Sequence, residues 1–189
     1  QVRMVLAEKG VTAEVLQVSR DNLPEEVYEV NPYGSLPTLL DRDMALYQAD
    51  IIMEFLDERF PHPPLLPVYP VERSKTRLTM YRIKRDWYGL AEKILANDDN
   101  SAEARRDLRE SLLSIGPLFQ ETMFFMSDDY SLLDCYMSAL LWRLPQLGIE
   151  LSGPGSEPIK NDMIRLFERD AFQLSLTEAE RDIRRQHSY

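Results

Sequence analysis

Five of the ten residues from 61 to 70, PHPPLLPVYP, are proline. Each proline fixes φ and removes a backbone donor, so neither a helix interior nor a central strand can run through such a strip. The chain must therefore break here. The residues before the break mix short helical and strand-like segments, and those after it read as helix throughout. This gives an α/β module over residues 1–60, a proline-rich strip over 61–70 and an all-helical module over 71–189.

In the first module, QVRMVLAEKG reads as the later turns of a helix, with Val2, Val5 and Leu6 on one face and Gly10 at its end. A helix that begins at full amphipathic strength leads us to expect a segment before it. AEVLQVS suggests a strand. LPEEVYEVNP is a short connection that stops before Pro32. PTLLD and ALY flank a turn at DRD and read as a hairpin. DIIMEFLDERF is a helix whose spacing puts Ile51, Ile52, Phe55 and Leu56 on the buried stripe.

In the second module, Met80, Ile83, Trp87, Leu90, Ala91 and Ile94 recur at steps of three and four and line one face. Ser101 is placed to cap the next helix. SLLDCYMSALLWRLPQLG is apolar nearly all round, as a central helix would be. Ser131 and Asp134 form a capping box with Asp in place of Glu, and Tyr130 and Cys135 stand where a hydrophobic staple would close it. Thr177 and Glu180 make a second cap pair. His187 falls in what reads as a mobile tail.

Composition excludes several functions. The net charge is −10, which disfavours a broad phosphate-binding face and hence direct, sequence-specific nucleic-acid binding. Arg82, Lys84 and Arg85, and Arg181, Arg184 and Arg185, lie among acids at helical spacing and read as solvated faces. The single cysteine, Cys135, sits among apolar neighbours and reads as an inert core thiol in a reducing cytoplasm. Two histidines cannot build a His-rich metal site, so no metal is expected. No apolar run reaches the roughly 18 residues of a membrane span.

The strip itself has two readings. A stiff interdomain linker is favoured by composition alone. The other is a docking surface, because a rigid apolar strip loses little entropy when a partner covers it. Pro37, opening a strand, reads on its own as an edge-strand proline.

Taken together, NPYGSLPTLLD, LYQADIIMEFLDERF, the strip and SLLD resemble the glutathione S-transferase superfamily in order and spacing. The resemblance implies a thioredoxin-like N-terminal domain, here lacking its first strand, followed by a helical C-terminal domain. It implies that Pro37 is cis, presenting the backbone of Leu36 to an extended ligand. In the transferases a Gln-Ser or Glu-Ser pair opening the third helix holds the γ-glutamyl end of glutathione. This sequence has Gln48, Ala49 and Asp50. Gln48 is compatible, Ala49 lacks the hydroxyl, and Asp50 would repel a carboxylate. Leu36, Pro37, Gln48, Ala49 and Asp50 are therefore a vestigial ligand site, with no catalytic residue and no cofactor.

VRMVLAEKG, DERFPHPPLLPVYP, WRLPQLGIE and FERDAF are similar to a bacterial branch of that superfamily. Its members associate with RNA polymerase and act in transcription during starvation and stress, without transferase activity. This reverses the odds on the strip. Phe60, Pro61, His62, Pro63, Pro64 and Tyr69 become a partner-contact surface for RNA polymerase holoenzyme. The resemblance also implies a cytoplasmic homodimer, the first domain of one copy against the helical domain of the other. The alternative is a glutathione-dependent transferase whose catalytic residue lies in a preceding segment.

Overall fold

The chain divides inside the proline strip, into units spanning Gln1–Pro64 and Leu65–Tyr189. The computed structural model describes residues 1–19, 22–97 and 99–185, so His187 lies outside the described residues. Among these, no helix is long and apolar enough to cross a membrane.

In the first unit, α1 (Val2–Glu8) buries Met4, Val5 and Leu6. It packs on α3 (Ala49–Arg59). Each such side chain taken from water contributes about 1.5–3 kcal/mol. Gly10, at φ 63°, closes α1 in a conformation that costs glycine little. α2 (Glu25–Val30) stops two residues before Pro32. The hairpin pairs β1 (Thr38–Asp41) with β2 (Met44–Tyr47), in the register Thr38 to Tyr47 and Asp41 to Met44. Arg42, at φ 54°, supplies the left-handed residue that so short a turn requires.

Two expectations fail in this unit. AEVLQVS is irregular rather than a strand. A strand needs a neighbour for its ladder, and the sheet among the described residues is β1–β2 alone. Val15 and Leu16 are consequently 52% and 75% exposed. The second failure is rotational. α3 buries Ile52, Met53, Leu56 and Asp57, while Ile51 is 52% exposed. One residue turns a helix by about 100°, which is the difference between the two stripes. Asp57 occupies a core position because a cation meets it there: the Lys9 ammonium lies 2.6 Å from Asp57 Oδ1. Ile51 and Phe55 face instead an open groove shared with Met44 and Leu46.

The second unit starts its helices at α4 (Pro70–Arg82), with Pro70 in the first turn, where its missing N–H costs nothing. A π-helical stretch, Ile83–Tyr88, joins α4 to α5 (Gly89–Ala96). Met80, Ile83, Trp87, Ala91 and Ile94 are buried along this run, and Leu90 is half-buried. α6 (Ser101–Ser114) follows. Ser101 is its first residue rather than its cap, because helical bonding begins one residue earlier, with Ala104 N–H donating to Asn100 O at 2.9 Å.

α7 (Leu132–Trp142) is the buried centre of the unit and packs against α4 and α8 (Ser156–Phe167). Near the start of α8, Gly155, at φ 83°, lets the chain pass Leu113, whose carbonyl an added Cβ would meet at 2.5 Å. α9 (Asp170–Ser175) and α10 (Glu178–Arg185) follow. Thr177 and Glu180 cap α10 reciprocally, at 2.9 and 3.2 Å. The basic run there is only partly solvated. Arg184 lies over Trp142 and Phe167 and donates to Leu141 O at 2.7 Å, so it closes the C-terminus of α7. Arg181 bonds Gln173 at 2.8 Å.

A helix leaves its first amides without partners, and burial removes water as a substitute. At α7 each is met. Leu132 N–H donates to Leu65 O at 2.9 Å, and Leu133 N–H to Ser131 Oγ at 3.2 Å. Asp134 Oδ2 accepts from Ser131 N–H at 2.8 Å. Its Oδ1 reaches outside the box and accepts from Phe125 N–H at 2.9 Å. Tyr130 and Cys135 meet at 3.4 Å across the start of the helix. Burial pushes the Asp134 carboxyl up to about 7, against the opposing pull of the Phe125 and Ser131 amides. Asp162 on α8 is also raised by burial, and adds its charge to the case against ionising Asp134.

Ser131→Ala should cost about 1–2 kcal/mol, because Leu133 N–H loses its acceptor in a dry site. A lowered thermal midpoint is the expected result, and an unchanged one counts against this account. A carboxyl with a raised native pKa binds a proton that the unfolded chain has released. Its contribution is therefore full below about pH 4 and is lost as the pH rises through about 7. Urea unfolding at pH 5 and pH 7.5 should show a smaller loss of stability with pH in Asp134→Asn than in wild type. Equal pH slopes would contradict the raised value.

Candidate functional site

A proline-dense strip is poor in donors and rich in acceptors, since each proline keeps its carbonyl. Its first part belongs to the N-terminal unit. Phe60 ends α3 through its N–H to Leu56 O at 3.0 Å, and the Arg59 guanidinium lies 5.8 Å from the centre of the Phe60 ring. Phe60 is half-buried, whereas Pro61, His62, Pro63 and Pro64 are exposed. The His62–Pro63 peptide is cis. Under this segment the Lys9 side chain is wholly buried. Its Nζ donates to Asp57 Oδ1 at 2.6 Å and to the carbonyl of Pro63.

The second part belongs to the helical unit. Leu65 and Leu66 are 2% and 4% exposed. Leu65 O accepts from Leu132 N–H, and Pro67 O accepts from Arg73 Nε, both at 2.9 Å. Val68 and Tyr69 are 74% and 73% exposed. The structure thus separates the six expected contact residues. Phe60 to Pro64 stand on one unit and Tyr69 on the other.

The other expected cluster lies at the open end of the hairpin. The Leu36–Pro37 peptide is cis, and both residues are half-buried. Thr38 pairs with Tyr47, so Pro37 and Gln48 flank the closing pair. Gln48 takes φ 73° and ψ 121°, outside the regions a side chain prefers. Such backbone costs about 1–3 kcal/mol and is commoner where a chain grips a ligand. Gln48 stands at the N-cap position of α3, Ala49 is its first residue, and Asp50 lies in the first turn. Ala49 offers no side-chain donor, and Asp50 favours the helix dipole while opposing an incoming anion.

Two residues that hold these clusters carry no local sequence signal. Asn31, wholly buried, donates to Ser35 O at 2.9 Å and Thr38 Oγ1 at 3.0 Å, and accepts from Tyr33 N–H at 3.1 Å. That fixes the loop before Pro37. Lys9 anchors Pro63 across 54 positions of sequence, a separation that no helical or strand period marks.

Residues 1–59 match the model of the glutathione S-transferase N-terminal domain. A bacterial glutathione S-transferase, BphK, solved as a ternary complex, superposes with a TM-score of 0.84 at 23% identity, over 95% of this chain and 92% of its own. Omega 3C from Trametes versicolor gives 0.79 at 18% identity, over 94% and 83%. These likenesses establish the fold. Much greater sequence identity is found with proteins named stringent starvation protein A homolog. The one from Pasteurella multocida is 54% identical over 93% of this chain and 84% of its own length. The one from Coxiella burnetii is 48% identical over 97% and 88%. With identity at this level along nearly the whole chain, on the transferase fold, the protein belongs to the stringent starvation protein A family.

Proposed function

We propose that this protein binds RNA polymerase holoenzyme and regulates transcription under starvation and stress by protein–protein contact, without transferase chemistry. The observation that carries the reading is the exposed segment Pro61–Pro64, anchored from beneath by a buried cation. Its prolines have little conformational freedom to lose, and a stable partner gains from that. Phe60 supplies a half-buried aromatic beside it, His62 a hydrogen-bonding tip, and Tyr69 on the helical unit a further exposed aromatic. The net charge of −10 suits a protein partner better than the phosphates of DNA. The reading includes a homodimer in the cytoplasm.

A glutathione-dependent transferase is the second reading, favoured by the constrained Gln48 backbone. Ala49 and Asp50 weigh against it. A like charge at about 4 Å opposes an incoming carboxylate by up to ~4 kcal/mol near a protein surface. A missing charge-assisted hydrogen bond costs a further ~1.5–3 kcal/mol.

Alanine at Pro61, His62 and Pro63 together should sharply reduce co-purification with RNA polymerase while leaving the circular dichroism spectrum unchanged. Retention of polymerase at the wild-type level would reject the strip as the contact. Calorimetric titration with glutathione should give no measurable heat for the wild-type chain, and Ala49→Ser with Asp50→Ser should create binding. Tight wild-type binding, accompanied by turnover in a conjugation assay, would favour the enzyme.

A further inference from the structure

We infer that Lys9 is a positioning residue for the exposed strip, which the buried Lys9–Asp57 pair holds in one shape ready for a partner. This rests on the docking reading above.

The argument begins with the cost of the pair. A lysine side chain with no solvent exposure, opposite an aspartate side chain only 6% exposed, carries a desolvation penalty of several kcal/mol per ion. Two apolar residues of similar volume would often give an equally stable core or a more stable one. What apolar residues cannot do is donate. The Lys9 ammonium has hydrogens beyond the one it gives Asp57, and one of them goes to Pro63 O. Pro63 and Pro64 have no amide hydrogen, so the strip has little with which to tie itself down from within. Asp57 lies in the last turns of α3 and Lys9 directly follows α1, so the anchor joins the ends of two packed helices. Asp57 aims the buried ammonium. Lys9 delivers a proton donor to a carbonyl of the strip.

The consequence is a separation of stability from binding. If the bound shape of the strip is held only a tenth of the time once its anchor is gone, apparent affinity falls about tenfold. The test compares the complete chain with the double variant Lys9→Met with Asp57→Leu, which removes the donor while leaving an apolar core. Two readouts are followed, with thermal unfolding as the control. One is the dissociation constant for purified RNA polymerase holoenzyme. The other is the NMR signal of the His62 ring, assigned with His62→Gln, since His62 is one of only two histidines.

We expect a melting midpoint close to wild type, about tenfold weaker polymerase binding, and a His62 signal moved towards that of an unfolded peptide. Wild-type affinity together with an unmoved His62 signal in the double variant would overturn the inference. If the double variant does not fold, Lys9→Arg serves in its place. It retains the charge and donors on a longer, planar head, and is expected to fold, to move the His62 signal and to weaken binding. A folded Lys9→Arg chain that matches wild type in both readouts would equally overturn the inference. Should wild-type protein fail to bind polymerase, the docking reading falls, and the His62 signal alone still decides whether Lys9 shapes the strip.

Discussion

The imbalance between acceptors and donors in the proline strip governs much of this structure. A proline keeps its carbonyl acceptor but has no amide proton to offer a neighbour. The strip therefore draws donors from elsewhere. The Lys9 ammonium serves Pro63, the first amide of α7 serves Leu65, and the Arg73 guanidinium serves Pro67. Each donor belongs to, or adjoins, a helix that is itself packed. In the N-terminal unit this carries the order of α1 and α3 into an exposed segment. In the helical unit it ties Leu65 and Leu66 to the start of the central helix.

Buried carboxylates are the second theme, and each is handled differently. Asp57 is met by a full cation. Asp134 is met by the amides of Phe125 and Ser131, and burial still lifts its carboxyl to about 7. Asp162 gives one oxygen to Arg165 at 3.1 Å, while its Oδ2 is buried and receives no hydrogen bond among the described residues. Asp134 does more than cap. By reaching Phe125 it fixes the loop that brings the Phe125 ring within 5.0 Å of Phe119 and 6.5 Å of Trp87. A single side chain thus links the start of α7 to the aromatic core.

Much of this was legible where the cause is local. The hairpin, the break at the strip, the central helix and both reciprocal caps follow from residues within a few positions of one another. The errors arose where a distant partner decides. AEVLQVS has strand composition, yet no described strand lies beside it. The stripe on α3 is shifted by one residue because Asp57, polar on paper, is neutralised by Lys9. Arg184 looks solvated among acids, yet it lies on Trp142 and Phe167. The buried Asn31 that fixes the loop before Pro37 escaped notice, because an asparagine before proline looks like any turn.

The amino-acid sequence alone determined the reciprocal caps of α7 and α10, which helix is central and where the chain must break. Those are consequences of backbone chemistry, of periodicity and of single side chains. Only the tertiary structure decided which polar groups are buried and what satisfies them. Lys9 and Asp57 lie 48 positions apart. Burial makes an ion pair costly and an unpaired ion far costlier, so their juxtaposition exists only once α1 and α3 have packed.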